Sequence, residues 1–394
     1  MQLLKNLHYV GVQDFDLRVF DIIMETKYGT SYNSYLLETN EGCVLFETAK
    51  VTFFDEYLKN ITAITPLENI KYIICSHTEP DHVGSLEKLL SLNPNITVIS
   101  SMIAKNYLSE IVNKDFHSKT VKDLEQLQIG QYHFKFLSCP NLHWPDTIYT
   151  YIEELKTLIT CDSFGAHYAT HDVLLSKVKD TKNYEDAFEY YTKMILSPFK
   201  PFLLKAMNKL EGIDIQLICP GHGPVLDTNI NETISWYKNY ATPIIKGEPK
   251  VAICYVSCYG YTEMLALEIQ SIMKENNIQC EALDLVTNSM DHVVTKLKQA
   301  DAILYGCPTL LNDALPPIYH AMNEVLSAYD GKKIVSAFGS YGWTGEAVPN
   351  MLARLKQQKH TIVDEGYRCK FKPSQKDLNN LKTYTLNFIS HLKN

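Results

Sequence analysis

Four side chains able to bind a metal fall within six residues in His77-Thr78-Glu79-Pro80-Asp81-His82, just after the apolar run Tyr72-Ile73-Ile74-Cys75. So dense a ligand set on a strand-to-helix loop constrains the fold, because its partners must reach the same edge. Three more candidates each follow a strand-like run: His143 in Asn141-Leu142-His143-Trp144-Pro145-Asp146, Asp162 after Leu158-Ile159-Thr160-Cys161, and His222 in Pro220-Gly221-His222-Gly223-Pro224. Singly each is ordinary: a histidine past a strand, a loop acid, a turn. In a layered α/β fold, loops leaving one edge of the sheets converge, so all seven can meet. Three carboxylates gathered there are a costly like-charge cluster unless a cation joins them.

The 394 residues suffice for two or three domains. In the front part, Ser31–Leu37 and Cys43–Phe46 read as paired strands around Asn40-Glu41-Gly42. Further strand-like runs are Tyr72–Cys75, Thr97–Ile99, Phe134–Leu137, Thr157–Thr160 and Gln216–Cys219, with amphipathic stretches at Ser85–Leu92 and Tyr184–Leu196. This pattern predicts sheets flanked by helices. A boundary is expected at Lys246-Gly247-Glu248-Pro249-Lys250, dividing domains 1–249 and 250–394. Beyond it Val251–Val256, Gln279–Asp284, Ala302–Gly306, Lys333–Phe338 and Thr361–Gly366 read as five strands, each followed by a helix, the last beginning near Ser374 as N-cap. Such β-α units predict a doubly wound, five-stranded parallel sheet with a ligand at the carboxyl ends of its strands.

Three loops stand at that edge. Ser257-Cys258-Tyr259-Gly260-Tyr261-Thr262 leads into a helix and offers hydroxyls, a glycine and a helix N-terminus to a phosphate. It is no G-x-G-x-x-G fingerprint, and no Gly-Lys-Ser/Thr occurs, which disfavours dinucleotide and P-loop readings. Pro308-Thr309-Leu310-Leu311-Asn312 and Gly339-Ser340-Tyr341-Gly342-Trp343-Thr344-Gly345 follow the third and fourth strands, the latter bringing aromatics that can stack on a flat ring.

The string His77-x-Glu79-x-Asp81-His82 with His143, Asp162 and His222 resembles the metallo-β-lactamase-like site in a variant form, with Glu79 where the hydrolases carry a histidine. An anionic oxygen donor in place of imidazole hardens the site and favours iron over zinc. Residues 250–394 resemble flavodoxin, and the two joined in this order resemble the flavodiiron proteins (A-type flavoproteins) over essentially the whole chain. The fold implied is an N-terminal αββα sandwich followed by a flavodoxin-like domain. By this resemblance His77, Glu79 and His143 hold one iron, Asp81, His82 and His222 the other, and Asp162 bridges them. The second cofactor is FMN, its phosphate on Ser257, Tyr259 and Thr262 and its ring against Thr309, Asn312, Tyr341 and Trp343, with Gly260, Pro308, Ser340 and Gly342 completing the site. Electrons pass from FMN to the diiron centre, which reduces O₂ to water, NO to N₂O, or both.

The resemblance further implies a head-to-tail homodimer or dimer of dimers, and an external donor, rubredoxin or a reductase, since no C-x-x-C pair marks a fused rubredoxin. Trp144, His167, His171 and Tyr191 are candidates to line the metal pocket. A net charge of −8 offers no footprint for nucleic acid or anionic lipid. No apolar run approaches the roughly 18 residues of a membrane span, and Met1-Gln2-Leu3-Leu4-Lys5-Asn6 does not read as a signal peptide, so a cytoplasmic protein is expected. The ten cysteines read mostly as buried hydrophobes. The rival readings are a binuclear zinc hydrolase with an accessory flavodoxin domain, and a gas sensor without turnover.

Overall fold

Along Tyr35–Thr39 and Gly42–Phe46, antiparallel around the loop Asn40-Glu41, Leu36 and Leu45 turn to one face and Leu37, Val44 and Phe46 to the other; all five are fully buried. Both faces of this sheet are therefore covered, which is why its strands read as unbroken apolar runs. A computed structural model describes residues 1–243 and 247–392, so Lys246 of the expected boundary lies outside the described residues. The chain clusters into two units, Met1–Pro243 and Ile244–Asn394.

The first unit holds a seven-stranded sheet in the order Gln2–Leu4, Leu7–Tyr9, Tyr35–Thr39, Gly42–Phe46, Ile70–Cys75, Thr97–Ser100, His117–Thr120. Against it lies a five-stranded sheet, Gln126–Ile129, Tyr132–Ser138, Ile148–Ile152, Thr157–Cys161, Leu217–Pro220. Leu37, Phe46, Ile74 and Ile99 meet Phe134, Phe136, Ile159 and Cys219 between the sheets. On the outside, Leu36, Leu45, Ile73 and Val98 pack on helices Phe54–Thr62, Leu86–Leu92 and Met102–Val112. Leu137, Tyr149, Leu158 and Ile218 pack on Thr181–Tyr191, Lys200–Lys209 and Ile230–Ala241. The result is the αββα sandwich.

In the second unit the parallel order is Gln279–Asp284, Lys250–Tyr255, Ala302–Gly306, Ile334–Tyr341, with the fifth position at the edge. That position departs from the expected single strand Thr361–Gly366: Thr361–Ile362 and Tyr367–Lys370 each pair with Ile334–Tyr341 and are separated by a bend. Asp364 Oδ1 accepts from Gly366 N at 2.8 Å and from the Ser336 hydroxyl, which breaks the ladder there. Ser374 does cap the last helix, Gln375–Ser390, in a reciprocal box with Asp377. Strand Lys250–Tyr255 lies between the second and third strands, so the topological switch falls where the chain leaves it. Among the described residues no helix is long and apolar enough to cross a membrane.

Candidate metal centre and flavin cavity

Local hydrogen bonds aim each ligand loop. Ser76 N, after the strand Ile70–Cys75, donates to both oxygens of the buried Glu47 carboxylate at 3.0 and 3.2 Å, placing His77. Pro80 opens the short helix Pro80–Val83, which carries Asp81 and His82, while Glu79 stands at its N-cap in extended backbone. Cys161 and Phe164 take φ of 51° and 67°, so the chain turns sharply and directs Asp162 inward. The loop bearing His222 is clamped by Asn33, whose side-chain amide donates to Pro220 O (2.9 Å) and Gly223 O (2.8 Å); Tyr35 donates to Pro220 O (2.7 Å). Gly221 is a glycine because a Cβ there would stand 2.6 Å from His82 Cε1.

All seven candidate ligands converge, in two groups. His143 Nε2 lies 2.8 Å from Glu79 Oε2 and 3.0 Å from Asp162 Oδ2; His77 Nε2 lies 3.2 and 3.3 Å from the same oxygens. His82 Nε2 lies 2.9 Å from Asp162 Oδ1, and His222 Nε2 lies 3.1 Å from Asp81 Oδ2 and 3.6 Å from Asp162 Oδ1. The two oxygens of Asp162 thus face different groups. The ligand atoms of His77, Glu79, His143 and Asp162 lie within 4.8 Å of one another, as do those of Asp81, His82 and His222. A third such set joins the Cys161 sulfur to His82 and Asp162, although Cys161 read from the sequence as only a buried hydrophobe.

The donor set fits a pair of cations. Both Asp81 oxygens are buried and accept no hydrogen bond, for His222 is close without a bonding angle. Burial by itself disfavours charge on His82, yet the Asp81 and Asp162 carboxylates push its imidazolium up to about 10; His143 is likewise pushed up to about 10 against its burial by Asp162 and Glu79. Glu79 and Asp162, though burial opposes it, are held well below the usual carboxylate range by the facing histidines. Without metal, protonated imidazoles stand in for the missing positive charge; metal binding would displace those protons. Burial pushes the Cys161 thiol well up, so it carries no thiolate.

Of the four lining candidates, Trp144 packs edge-on to His77 with centroids 5.3 Å apart. His167 lies behind His222 (5.1 Å), under the Tyr191 ring (4.8 Å), its Nδ1 2.9 Å from the Thr30 hydroxyl. His171 is not brought in; it is exposed and packs on Phe15. Sequence reasoning missed Phe20, whose ring lies 4.4 Å from His167, and Asp21, whose carboxyl is pushed up to about 6 by burial and by the Glu79 and Asp81 charges. Neither stands in a recognisable motif.

In the second unit the three strand-end loops enclose a cavity of about 420 Å³. Of the expected flavin residues, Tyr259, Pro308, Thr309, Asn312, Ser340, Tyr341, Gly342 and Trp343 line it. Ser257, Gly260 and Thr262 do not: Ser257 Oγ accepts from Glu263 N, Gly260 takes φ of 82° at the helix entry, and the buried Thr262 hydroxyl bonds Ser340 Oγ at 2.9 Å. Cys258, Tyr261, Leu310, Leu311, Thr344 and Phe371 line it unforeseen. Trp343 is 91% exposed, presenting its ring at the cavity rim.

A metallo-β-lactamase-like sandwich with two facing ligand groups, continued by a flavodoxin-like sheet with a ring-sized cavity, defines an electron-transferring flavoprotein with a binuclear metal centre. Residues 30–223 match the family model of the ODP family beta lactamase, and residues 253–382 match that of flavodoxin. The flavo-diiron protein FprA2 of Clostridium acetobutylicum is 39% identical over 95% of this chain and 94% of its own. The type A flavoprotein of Rhodobacter capsulatus is 30% identical over 98% and 90%. The solved structure of rubredoxin oxygen:oxidoreductase from Desulfovibrio gigas superposes with a TM-score of 0.68 at 26% identity, over 100% of this chain and 98% of that one. The chain belongs to the flavodiiron protein (type A flavoprotein) family. It is an oxidoreductase whose cofactors are FMN and a diiron centre, and nothing in these likenesses favours a zinc hydrolase.

Proposed function

We propose that the enzyme reduces O₂ to water, with NO reduction to N₂O as a second activity, using electrons from a rubredoxin or a reductase. The observation that carries the site assignment is the division of Asp162: one carboxylate oxygen faces His77 and His143, the other His82 and His222. His77, Glu79 and His143 then hold one iron and Asp81, His82 and His222 the other, with Asp162 shared. Two irons held by these residues would supply a paired site for one diatomic molecule or two. FMN takes electrons in pairs and returns them singly. Tyr259, Pro308, Thr309, Asn312, Ser340, Tyr341, Gly342 and Trp343 would contact it, with Ser257, Gly260 and Thr262 in the turn that would receive its phosphate. The two cofactors divide between residues 1–249 and 250–394.

Around the metals the protein would hold the ligands still. Tyr191, 1% exposed, and Phe20, 5% exposed, pack against His167 and close the site on the His222 side. The relative from Desulfovibrio gigas is named for rubredoxin and oxygen, which supports that donor class and that gas here.

The test is metal and flavin stoichiometry on protein produced with ample iron, followed by anaerobic electrode assays with O₂ and NO under one electron supply. Two irons and one FMN per chain with sustained O₂ consumption are expected. Gas binding without consumption would make the chain a sensor; two zincs persisting after iron supplementation would make it a hydrolase. Glu79→His is expected to shift the metal content towards zinc and to abolish gas reduction.

A further inference from the structure

Behind the ligand His77 sits a carboxylate with nothing to do. Asp146 follows Trp144-Pro145, and its side chain is wholly buried. Neither of its oxygens accepts a hydrogen bond. Its backbone carbonyl is used, accepting from Ser101 Oγ at 2.9 Å, but that contact needs only a peptide group and no acid. Burying an unpaired carboxylate is costly, and a chain that does so with no charge opposite is destabilised. His77 Nδ1 stands 3.8 Å from Asp146 Oδ1.

His77 is oriented by its two nitrogens. Nε2 points at Glu79 Oε2 and Asp162 Oδ2, the metal side. A ring that gives its Nε2 lone pair to a metal carries its proton on Nδ1, and Nδ1 faces Thr147 Oγ1 at 3.3 Å and Asp146 beyond it. The Thr147 hydroxyl donates to Trp144 O at 3.0 Å, so its lone pairs are left to accept. The other histidines are backed differently. His222 Nδ1 donates to a neutral acceptor, Ser31 O, at 2.6 Å, and His82 Nδ1 has no partner. Among the described residues, Asp146 is the one carboxylate within 4.0 Å of an Nδ1 atom of the cluster.

We propose that Asp146 is a positioning residue for the diiron centre: its buried carboxylate, with Thr147, holds the Nδ1–H tautomer of His77 and makes Nε2 the stronger donor. An anion behind an imidazole raises the basicity of the ligating nitrogen and fixes the ring. One iron, that of His77, Glu79 and His143, is therefore electronically distinct from its neighbour. The inference rests on the ligand assignment given under Proposed function.

The experiment uses the full-length, iron-loaded protein and Asp146→Asn, which keeps the shape and removes the charge, with Asp146→Ala as the second variant. Iron is withdrawn by a chelator, and Mössbauer spectra are taken of the diferrous state. The expected result is one iron per chain held about 10- to 100-fold less tightly and the other held as in the parent. One ferrous doublet shifts while its companion stays. Two irons leaving together, or both doublets unchanged in either variant, would overturn the proposal, because a packing role loosens both sites or neither. His77→Ala separates the two levels: if it still retains two irons, the ligand assignment fails, whatever Asp146 does.

Discussion

Gly221 and His82 are far apart in the chain yet set each other's position. A methyl at residue 221 would lie 2.6 Å from His82 Cε1 and 3.2 Å from the Cys161 carbonyl carbon, so a ring aimed at the metals and a rigid turn would both have to give. Gly221→Ala is expected to cost about 1–3 kcal/mol by overpacking, and to lower iron retention at the His82 position more than at His143. Thermal unfolding and iron content of the same preparation check both. The metal-free protein should also show a pH signature. His82 and His143 are raised in the fold to about 10 from 6.5, so their contribution to stability is complete below 6.5 and lost as pH climbs through about 10. Metal-free protein should therefore lose melting temperature between pH 6.5 and 10. The iron-loaded protein should lose less, because iron replaces those protons. Equal slopes in the two forms would refute the assignment of these histidines.

At the scale of elements, the segment Thr30–Tyr35 is a scaffold whose role no motif advertises. Ser31 gives its carbonyl to His222 Nδ1 and its hydroxyl oxygen to Gly223 N, and Asn33 spans Pro220 O and Gly223 O while accepting from Tyr9. Asn33→Ala leaves the buried Gly223 carbonyl without its donor, while Tyr35 still serves Pro220 O, and is expected to cost about 1–3 kcal/mol, with iron loss at the His222 side. Denaturant unfolding beside metal analysis measures it, and a variant with parent stability and full iron would refute the clamp. The ligands themselves were legible because several donors crowd the ends of apolar runs, a local pattern. Asn33, Phe20 and Asp146 were not, because their partners lie on other elements and nothing in their own neighbourhood marks them. In the flavin loops the same holds for the contacts behind the turn: the Thr262 hydroxyl bonds Ser340 Oγ and Ser257 Oγ accepts from Glu263 N, pairings that no local pattern announces. The split fifth strand was hidden likewise, since Asp364 reaches across to Ser336.

At the scale of the whole molecule, the doubly wound sheet was legible from periodicity and strand-to-loop order, whereas the αββα sandwich was legible only through the resemblance carried by the ligand motif. The rim of the flavin cavity carries Leu311 (99% exposed), Trp343 (91%) and Tyr259 (81%), groups that bound FMN and a second subunit together would cover. We propose a head-to-tail dimer in which the FMN of one subunit serves the irons of its partner. Complementation tests it without any need to dissociate the protein. Asp162→Asn should cripple the metal centre and keep the flavin, while Thr309→Trp should fill the cavity of about 420 Å³ and keep the irons. Each variant alone should be inactive. Co-expressed with different affinity tags and isolated as mixed dimers, they pair one intact flavin with one intact metal centre on opposite subunits. Transfer between subunits predicts turnover per mixed dimer of about half the parent's, whereas transfer within a chain predicts none, since neither subunit then holds both cofactors.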